Sequence, residues 1–165
     1  IYINRVMIAL TGHTGHIGKI ICNHYNDVKG FSRSNGYDIR YTRDKIVLES
    51  SDANVFINCA HAGPGFAQTE MFWKIFNEWQ HTNRVIINIG TEAANYNMWS
   101  KIRKQYASEK SALAAAVEEA QQMPHRCKVS IINPYVVNDD VAKDLLVAID
   151  FCIHSNSEIK SINLQ

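Results

Sequence analysis

Short apolar runs rich in Ile and Val recur along the chain, and longer stretches with apolar residues three or four apart separate most of them. The runs predict strands over 5–10, 29–32, 37–40, 54–58, 84–89, 128–132 and 159–164; the spaced stretches predict helices over 17–25, 68–80, 102–122 and 139–153. Alternation of this kind builds β-α units. Most of the strands are too continuously apolar to keep one face wet, so helices are expected on both faces of a largely parallel sheet of about seven strands. The expected class is therefore a doubly wound α/β fold. Residues 41–52 are too polar and too few for a full crossover helix, so the connection from the third strand to the fourth is expected to be abbreviated. Asn138 and Asp139 read as the cap of the last helix.

Composition narrows the class. With 165 residues, 46% of them apolar, the chain can bury a core of its own, and one domain over 1–165 is expected. A formal charge of +1, with no block of Lys or Arg, argues against a nucleic-acid footprint. No apolar run approaches the ~20 residues that span a bilayer, and the first residues read as the approach to a strand rather than as a leader. Cys22, Cys59, Cys127 and Cys152 are scattered without metal-ligand spacing, so reduced buried thiols, no metal site and a cytoplasmic location are expected.

The most specific local signal is T-G-H-T-G-H-I-G, Thr11 to Gly18, between the first strand and the first helix. Gly12 can take the tight turn, Gly15 can admit a pyrophosphate to the backbone, and Gly18 can let the helix sit close on the sheet. The helix N-terminus then attracts the phosphates. A dinucleotide contacting Gly12, Thr14, Gly15, His16, Ile17 and Gly18 is expected, against the alternative of a turn that merely packs. His13 and His16 read as turn surface, still able to touch phosphate as neutral donors. The second strand ends in Ser32, Arg33 and Ser34, where an NAD site would carry an acid for the ribose hydroxyls. A guanidinium flanked by hydroxyls suits a 2′-phosphate, so NADP(H) is favoured over NAD(H). Asp38 is either an adenine contact or a turn cap.

Tyr106 and Lys110 stand four apart in the long helix and so share a face. An ammonium beside a phenol favours the phenolate, which would bring the Tyr106 pKa down from ~10. The alternative is an ordinary amphipathic pair. With the glycine turn, N-C-A-H-A-G (Asn58 to Gly63), I-N-I-G-T (Ile87 to Thr91), Y-A-S-E-K (Tyr106 to Lys110) and V-S-I-I-N-P (Val129 to Pro134), the chain resembles the short-chain dehydrogenase/reductase family over most of its length. That resemblance implies an NADP(H)-dependent oxidoreductase interconverting a carbonyl and an alcohol. Thr91 would stand where the family carries its catalytic Ser, Tyr106 would move the proton, and Lys110 would hold the nicotinamide ribose. Asn58, Ala60 and Pro134 would lie along the cofactor.

The chain also departs from the family pattern. The glycines follow the spacing of the family's extended branch, the Thr91-to-Tyr106 interval is long so that 92–101 must bulge, and the relay Asn has no clear counterpart. After Pro134, Tyr135 replaces the usual Gly, and the substrate-covering segment is missing. Three readings follow: the oxidoreductase with a small or carrier-bound substrate, a non-catalytic NADP(H)-binding sensor, and, on the glycine spacing alone, a sugar-nucleotide enzyme. In helix 68–80, Phe72, Ile75, Phe76 and Trp79 form one stripe, with Met71 and Trp73 off it. Apolar residues around more than half the helix, and Ala112 and Ala114 to Ala116 in helix 102–122, lead us to expect a homodimer or homotetramer through these two helices rather than a helix buried within a monomer.

Overall fold

The computed structural model describes residues 5–92, 101–135 and 137–164. In chain order the elements are β1 (Ile8–Thr11), α1 (His16–His24), β2 (Val28–Phe31), a single 3₁₀ turn (Arg33–Asn35), α2 (Arg43–Glu49), β3 (Val55–Asn58), α3 (Ala67–Trp79), β4 (Val85–Ile89), α4 (Lys101–Gln122), β5 (Lys128–Pro134), α5 (Asp139–His154) and β6 (Ser161–Leu164). The strands form one sheet in the order β2-β1-β3-β4-β5-β6, and each pair is parallel.

Residue alternation divides the apolar strands between two cores. Ile8 and Leu10 of β1, Val55 and Ile57 of β3, and Val85, Ile87 and Ile89 of β4 pack with Ile21 of α1 and Leu145 and Ile149 of α5. Ala9, Phe56 and Ile86 face the other way, onto Phe72, Ile75 and Phe76 of α3 and Leu113 and Val117 of α4. The double winding is thus the period-two pattern of the strands met by helical stripes on each side. Each large side chain buried this way stabilises the fold by about 1.5–3 kcal/mol.

The sheet has six strands among the described residues, not about seven. Residues 37–40, expected as a strand, form a turn in which the Tyr41 and Thr42 N–H groups both donate to the Asp38 carbonyl, while Ile39 is buried in the core. This leaves β2 as the sheet edge. Asn35 blunts it by donating from Nδ2 to the Gly30 carbonyl at 2.9 Å. The connection then continues into α2, where none was expected, because Ile46 is fully buried while Leu48 stays 72% exposed. A helix with so narrow an apolar face has little periodic signal.

Helix α3 also departs from expectation. Met71, assigned to a second face, is fully buried in this chain's own core, and Trp73 packs on the same cluster beside Phe72 and Phe76. The helix is apolar around more than half its girth because the sheet, α2 and α4 all lie against it. Ion pairs from Arg43 to Glu70 (2.9 Å) and from Lys74 to Asp44 (2.5 Å) link it to α2. On α4, Leu113, Ala116 and Val117 are buried, whereas Ala114 and Ala115 are exposed.

Candidate functional site

The chain leaves β1 for β2 on one side and β3 on the other, so the carboxyl ends of β1 and β3 flank a crevice at the point where the winding reverses. Gly12 opens it with φ 76°, and its N–H donates to the Phe31 carbonyl at 2.7 Å. A Cβ on Gly18 would lie 2.1 Å from the Gly12 carbonyl oxygen, so the turn closes this tightly only on glycine. Thr11 Oγ1 accepts from the Cys59 and Ala60 N–H groups at 3.0 and 3.1 Å, which ties the β1 and β3 exits together. Helix α1 starts behind Gly15 without a side-chain cap, leaving its first N–H groups to a ligand.

A cleft of about 750 Å³ runs along this turn and is lined by Gly12, Thr14, Gly15, His16, Ile17, Gly18, Ser32, Arg33, Ser34, Asp38, Ala60 and His61, among others. Eleven of the residues singled out for the cofactor in the sequence therefore share one wall. His16 also reaches across to the Val137 carbonyl at 3.2 Å. His13 is not turn surface: its ring covers Gly30, where a Cβ would come within 2.3 Å of Cγ.

At the far end of the cleft, Ser32 and Ser34 share a hydroxyl–hydroxyl bond of 2.7 Å and Arg33 is exposed. Asp38 is engaged by Arg40, which donates from Nη2 at 2.6 Å and from Nε at 3.0 Å. These hydrogen bonds hold the Asp38 carboxyl at a pKa of about 2 against a smaller upward push from burial. Arg40 escaped the sequence reading; the Asp-x-Arg spacing is its only trace.

At the other end the lining stops at Cys59, Ala60, His61 and Ala62, and Thr91, Tyr106, Lys110 and Pro134 lie behind it, packed into the protein, rather than along the cleft wall. Thr91 is buried at the exit of β4, 3.5 Å from the Pro134 carbonyl, and its side chain hydrogen-bonds the Tyr106 phenol. Burial pushes the Tyr106 pKa up, and the Thr91 bond offsets this only in part. The expected lowering by Lys110 is therefore not found. The Lys110 Nζ lies 5.6 Å from the Tyr106 ring centre, but it donates to Gln68 Oε1 (2.8 Å) and the Ile89 carbonyl (2.9 Å). Burial brings Lys110 down to about 8. Gln68 in turn donates to the Asn58 and Ile89 carbonyls, and Asn58 donates to Asn88 Oδ1 at 3.0 Å. Asn58 is thus wholly buried in a polar network beneath the cleft instead of lining it.

Two further residues complete this end. His61 Nε2 meets Glu109 Oε2 at 2.5 Å, and the His61 ring stands edge-on to Tyr106 with centroids 4.9 Å apart. Gln68, His61 and Glu109 were all missed in the sequence, where Glu109 appears merely as a filler inside Tyr-x-x-x-Lys. Residues 93–100, in which the expected bulge falls, lie outside those described. The link from Pro134 to the Asp139 start of α5 is four residues, and Asn138 caps that helix by accepting from the Asp140 and Val141 N–H groups, as the sequence indicated.

No protein-family model matches the chain. No curated protein matches it significantly either. Solved structures do. A small-chain dehydrogenase shares 16% identity over 98% of this chain and 97% of that chain, with a TM-score of 0.75. A serine dehydrogenase from Escherichia coli is 16% identical over 96% and 97%, with a TM-score of 0.71. A blue fluorescent protein from a metagenomic library, solved in complex with NADPH, is 15% identical over 96% of each chain, with a TM-score of 0.67. The chain has the fold of the short-chain dehydrogenases/reductases.

Proposed function

We propose that the chain is an NADP(H)-dependent oxidoreductase interconverting a carbonyl and an alcohol on a small or carrier-bound substrate. The observation that carries this reading is the cleft itself: an uncapped helix N-terminus, a glycine turn that a Cβ would fill, and Arg33 with two hydroxyls at the far end. These donors suit a pyrophosphate and a 2′-phosphate. Bound there, the nicotinamide supplies or accepts the hydride. Thr91 orients the substrate oxygen, and Tyr106 gives it a proton in reduction or takes one in oxidation. Lys110, held by Gln68 and the Ile89 carbonyl behind the Tyr106 ring, would hold the nicotinamide ribose with its remaining donor.

Several finer assignments belong to the same reading. NADP(H) is preferred to NAD(H) because no acid replaces Arg33. The exposed Ala114 and Ala115 of α4 support a homodimer or homotetramer, and the four free cysteines support a cytoplasmic home. No helix among the described residues is long and apolar enough to cross a membrane. One observation favours a second reading, a non-catalytic NADP(H) sensor: the two bonds that Lys110 spends inside the protein and the raised Tyr106 pKa are those of a packed structural core.

Fluorescence titration with NADPH and NADH, followed by a carbonyl panel assayed with the native protein and Tyr106→Phe, separates the two. The expected outcome is tighter NADPH than NADH binding in both proteins, with turnover reduced about 10²–10⁴-fold in the variant. Binding without any turnover that depends on Tyr106 leaves the sensor reading.

A further inference from the structure

His61 and Glu109 lie beside the proposed proton donor, and the reaction as read above assigns them no task. Glu109 is buried on α4, one residue from Lys110 and three from Tyr106. Its Oε1 accepts from the Gly65 N–H at 2.8 Å and from Gln105 Nε2 at 3.2 Å, while its Oε2 faces His61 Nε2. Burial opposes ionisation of this carboxyl, yet the Gly65, His61 and Gln105 bonds prevail and its pKa is lowered. An ionised Glu109 can accept from His61 but cannot donate to it. The neutral imidazole therefore carries its proton on Nε2 and keeps a lone pair on Nδ1, which makes no hydrogen bond among the described residues. The same ring lines the cleft, is 32% exposed, and rests edge-on against Tyr106.

We propose that His61, oriented by Glu109, exchanges protons between Tyr106 and solvent, so that the pair recharges the phenol between turnovers. The inference rests on the oxidoreductase reading. In the reducing direction the phenol O–H bond breaks as its proton goes to the substrate oxygen, leaving phenolate. Water beside the two rings carries a proton from the His61 imidazolium to that phenolate, and His61 regains one from solvent; no other reactant is consumed. The Glu109 carboxylate stays paired with Nε2–H throughout, so the proton that moves is the one on Nδ1. His61 acts through Tyr106 and is a positioning residue for proton flow, as is Glu109. Lys110 and Cys59 are the other titratable neighbours; Lys110 titrates at about 8, and burial pushes the Cys59 thiol up to about 11.

The test has one arm without turnover and one with it. Protein labelled with ¹³C at the tyrosine Cζ atoms, with the Tyr106 signal assigned from Tyr106→Phe, is titrated with and without NADPH. The Tyr106 signal is expected to show a pH-dependent step that disappears in His61→Gln and moves in Glu109→Gln, while the Lys110 step near 8 persists. A Tyr106 signal blind to His61 in the native protein overturns the proposal. In turnover, His61→Ala is expected to lose about 10²-fold in kcat, with KM and NADPH affinity within about threefold of native, and added imidazole is expected to restore rate in proportion to its concentration. Loss without rescue marks a structural role and also overturns it. Coupled titration in a native protein that turns nothing over sinks the oxidoreductase reading but leaves the coupling of His61 to Tyr106 standing. Turnover dependent on Tyr106, with neither coupling nor rescue, does the reverse.

Discussion

The two ends of the cleft are built on opposite plans. At the glycine turn, polar groups point outward: the first N–H groups of α1 lack a side-chain cap, and Arg33 is exposed. At the Tyr106 end they point inward, with Lys110, Gln68, Asn58 and Asn88 bonded to one another and to strand carbonyls beneath the surface. An outward plan keeps its donors for a ligand and owes its precision to backbone geometry. An inward plan keeps the overlying face rigid, and it makes each buried group depend on its neighbour. Substitutions at the first end should therefore act on binding, and substitutions at the second on stability and its pH dependence.

The severest break is expected at Gly18. A side chain there meets the Gly12 carbonyl, backbone that cannot swing aside, so Gly18→Val must push α1 off the turn. Loss of measurable NADPH binding is expected, with destabilisation of about 1–3 kcal/mol from overpacking, read by fluorescence titration and thermal melting. Retained NADPH affinity in a folded Gly18→Val protein would show that the turn is not the ligand's seat.

Lys110 tests the inward plan. Burial holds its folded pKa at about 8, below the 10.5 usual for lysine. Below pH 8 both folded and unfolded chains carry the charge, and the fold bears the full cost of burying it. Between about 8 and 10.5 the unfolded chain binds the extra proton, so stability attributable to Lys110 rises with pH across that window. Against Lys110→Met, the native protein should gain on the order of 3 kcal/mol from pH 7.5 to pH 10.5. The buried thiol of Cys127, raised to about 12, destabilises both proteins alike at high pH, whereas Cys59, raised by burial to about 11 and held down by the Lys110 charge, contributes to the difference between them. The difference between the two denaturation curves is therefore the quantity to follow, and a flat difference would mean that Lys110 is neutral or solvated at every pH.

Returning to the outward plan, Arg33→Ala should weaken NADPH roughly 10- to 100-fold and leave NADH unchanged, as expected for loss of a charge-assisted contact worth about 1.5–3 kcal/mol. Parallel isothermal titrations with the two cofactors measure this. Equal weakening of both would move Arg33 from the 2′-phosphate to the general field of the cleft.

The same contrast explains what could be read from the sequence. The glycine turn was legible because its parts are contiguous: strand, Gly12, Gly18 and helix follow within eleven residues of Ile8. Tyr106 and Lys110 were legible from helical spacing. Their partners were not, because Gln68 stands 42 residues before Lys110 and His61 48 before Glu109, and no local periodicity encodes contacts made across a sheet. The direction of the Tyr106 pKa was misjudged for another reason: burial, which helical spacing does not encode, pushes it up. The missing strand at 37–40 and the unforeseen α2 share one cause: with Ile39 and Ile46 each buried singly, neither segment carries a repeating apolar face. Met71 looked surplus until α2 was there to cover α3.

The smallest expected effect lies at Asp38, where the outward end has one inward-facing feature. Its carboxylate lines the cleft, holds Arg40 bidentately and lies in the field of Arg33, so part of the positive charge at this end is already offset. Asp38→Asn frees Arg40 and removes an anion, and NADPH affinity should rise by about threefold, a gain of under 1 kcal/mol appropriate to a surface charge pair. Because the Arg40 hydrogen bonds depress the Asp38 pKa to about 2 from the usual 3.8, the stability it confers is present above about pH 4 and lost as pH falls through about 2. Native and Asp38→Asn proteins should thus differ by at most about 1 kcal/mol at neutral pH and converge in strong acid. If the substitution weakens NADPH instead, Asp38 contacts the adenine or its ribose directly, and the Arg40 pair is there to aim the carboxylate rather than to withhold a cation.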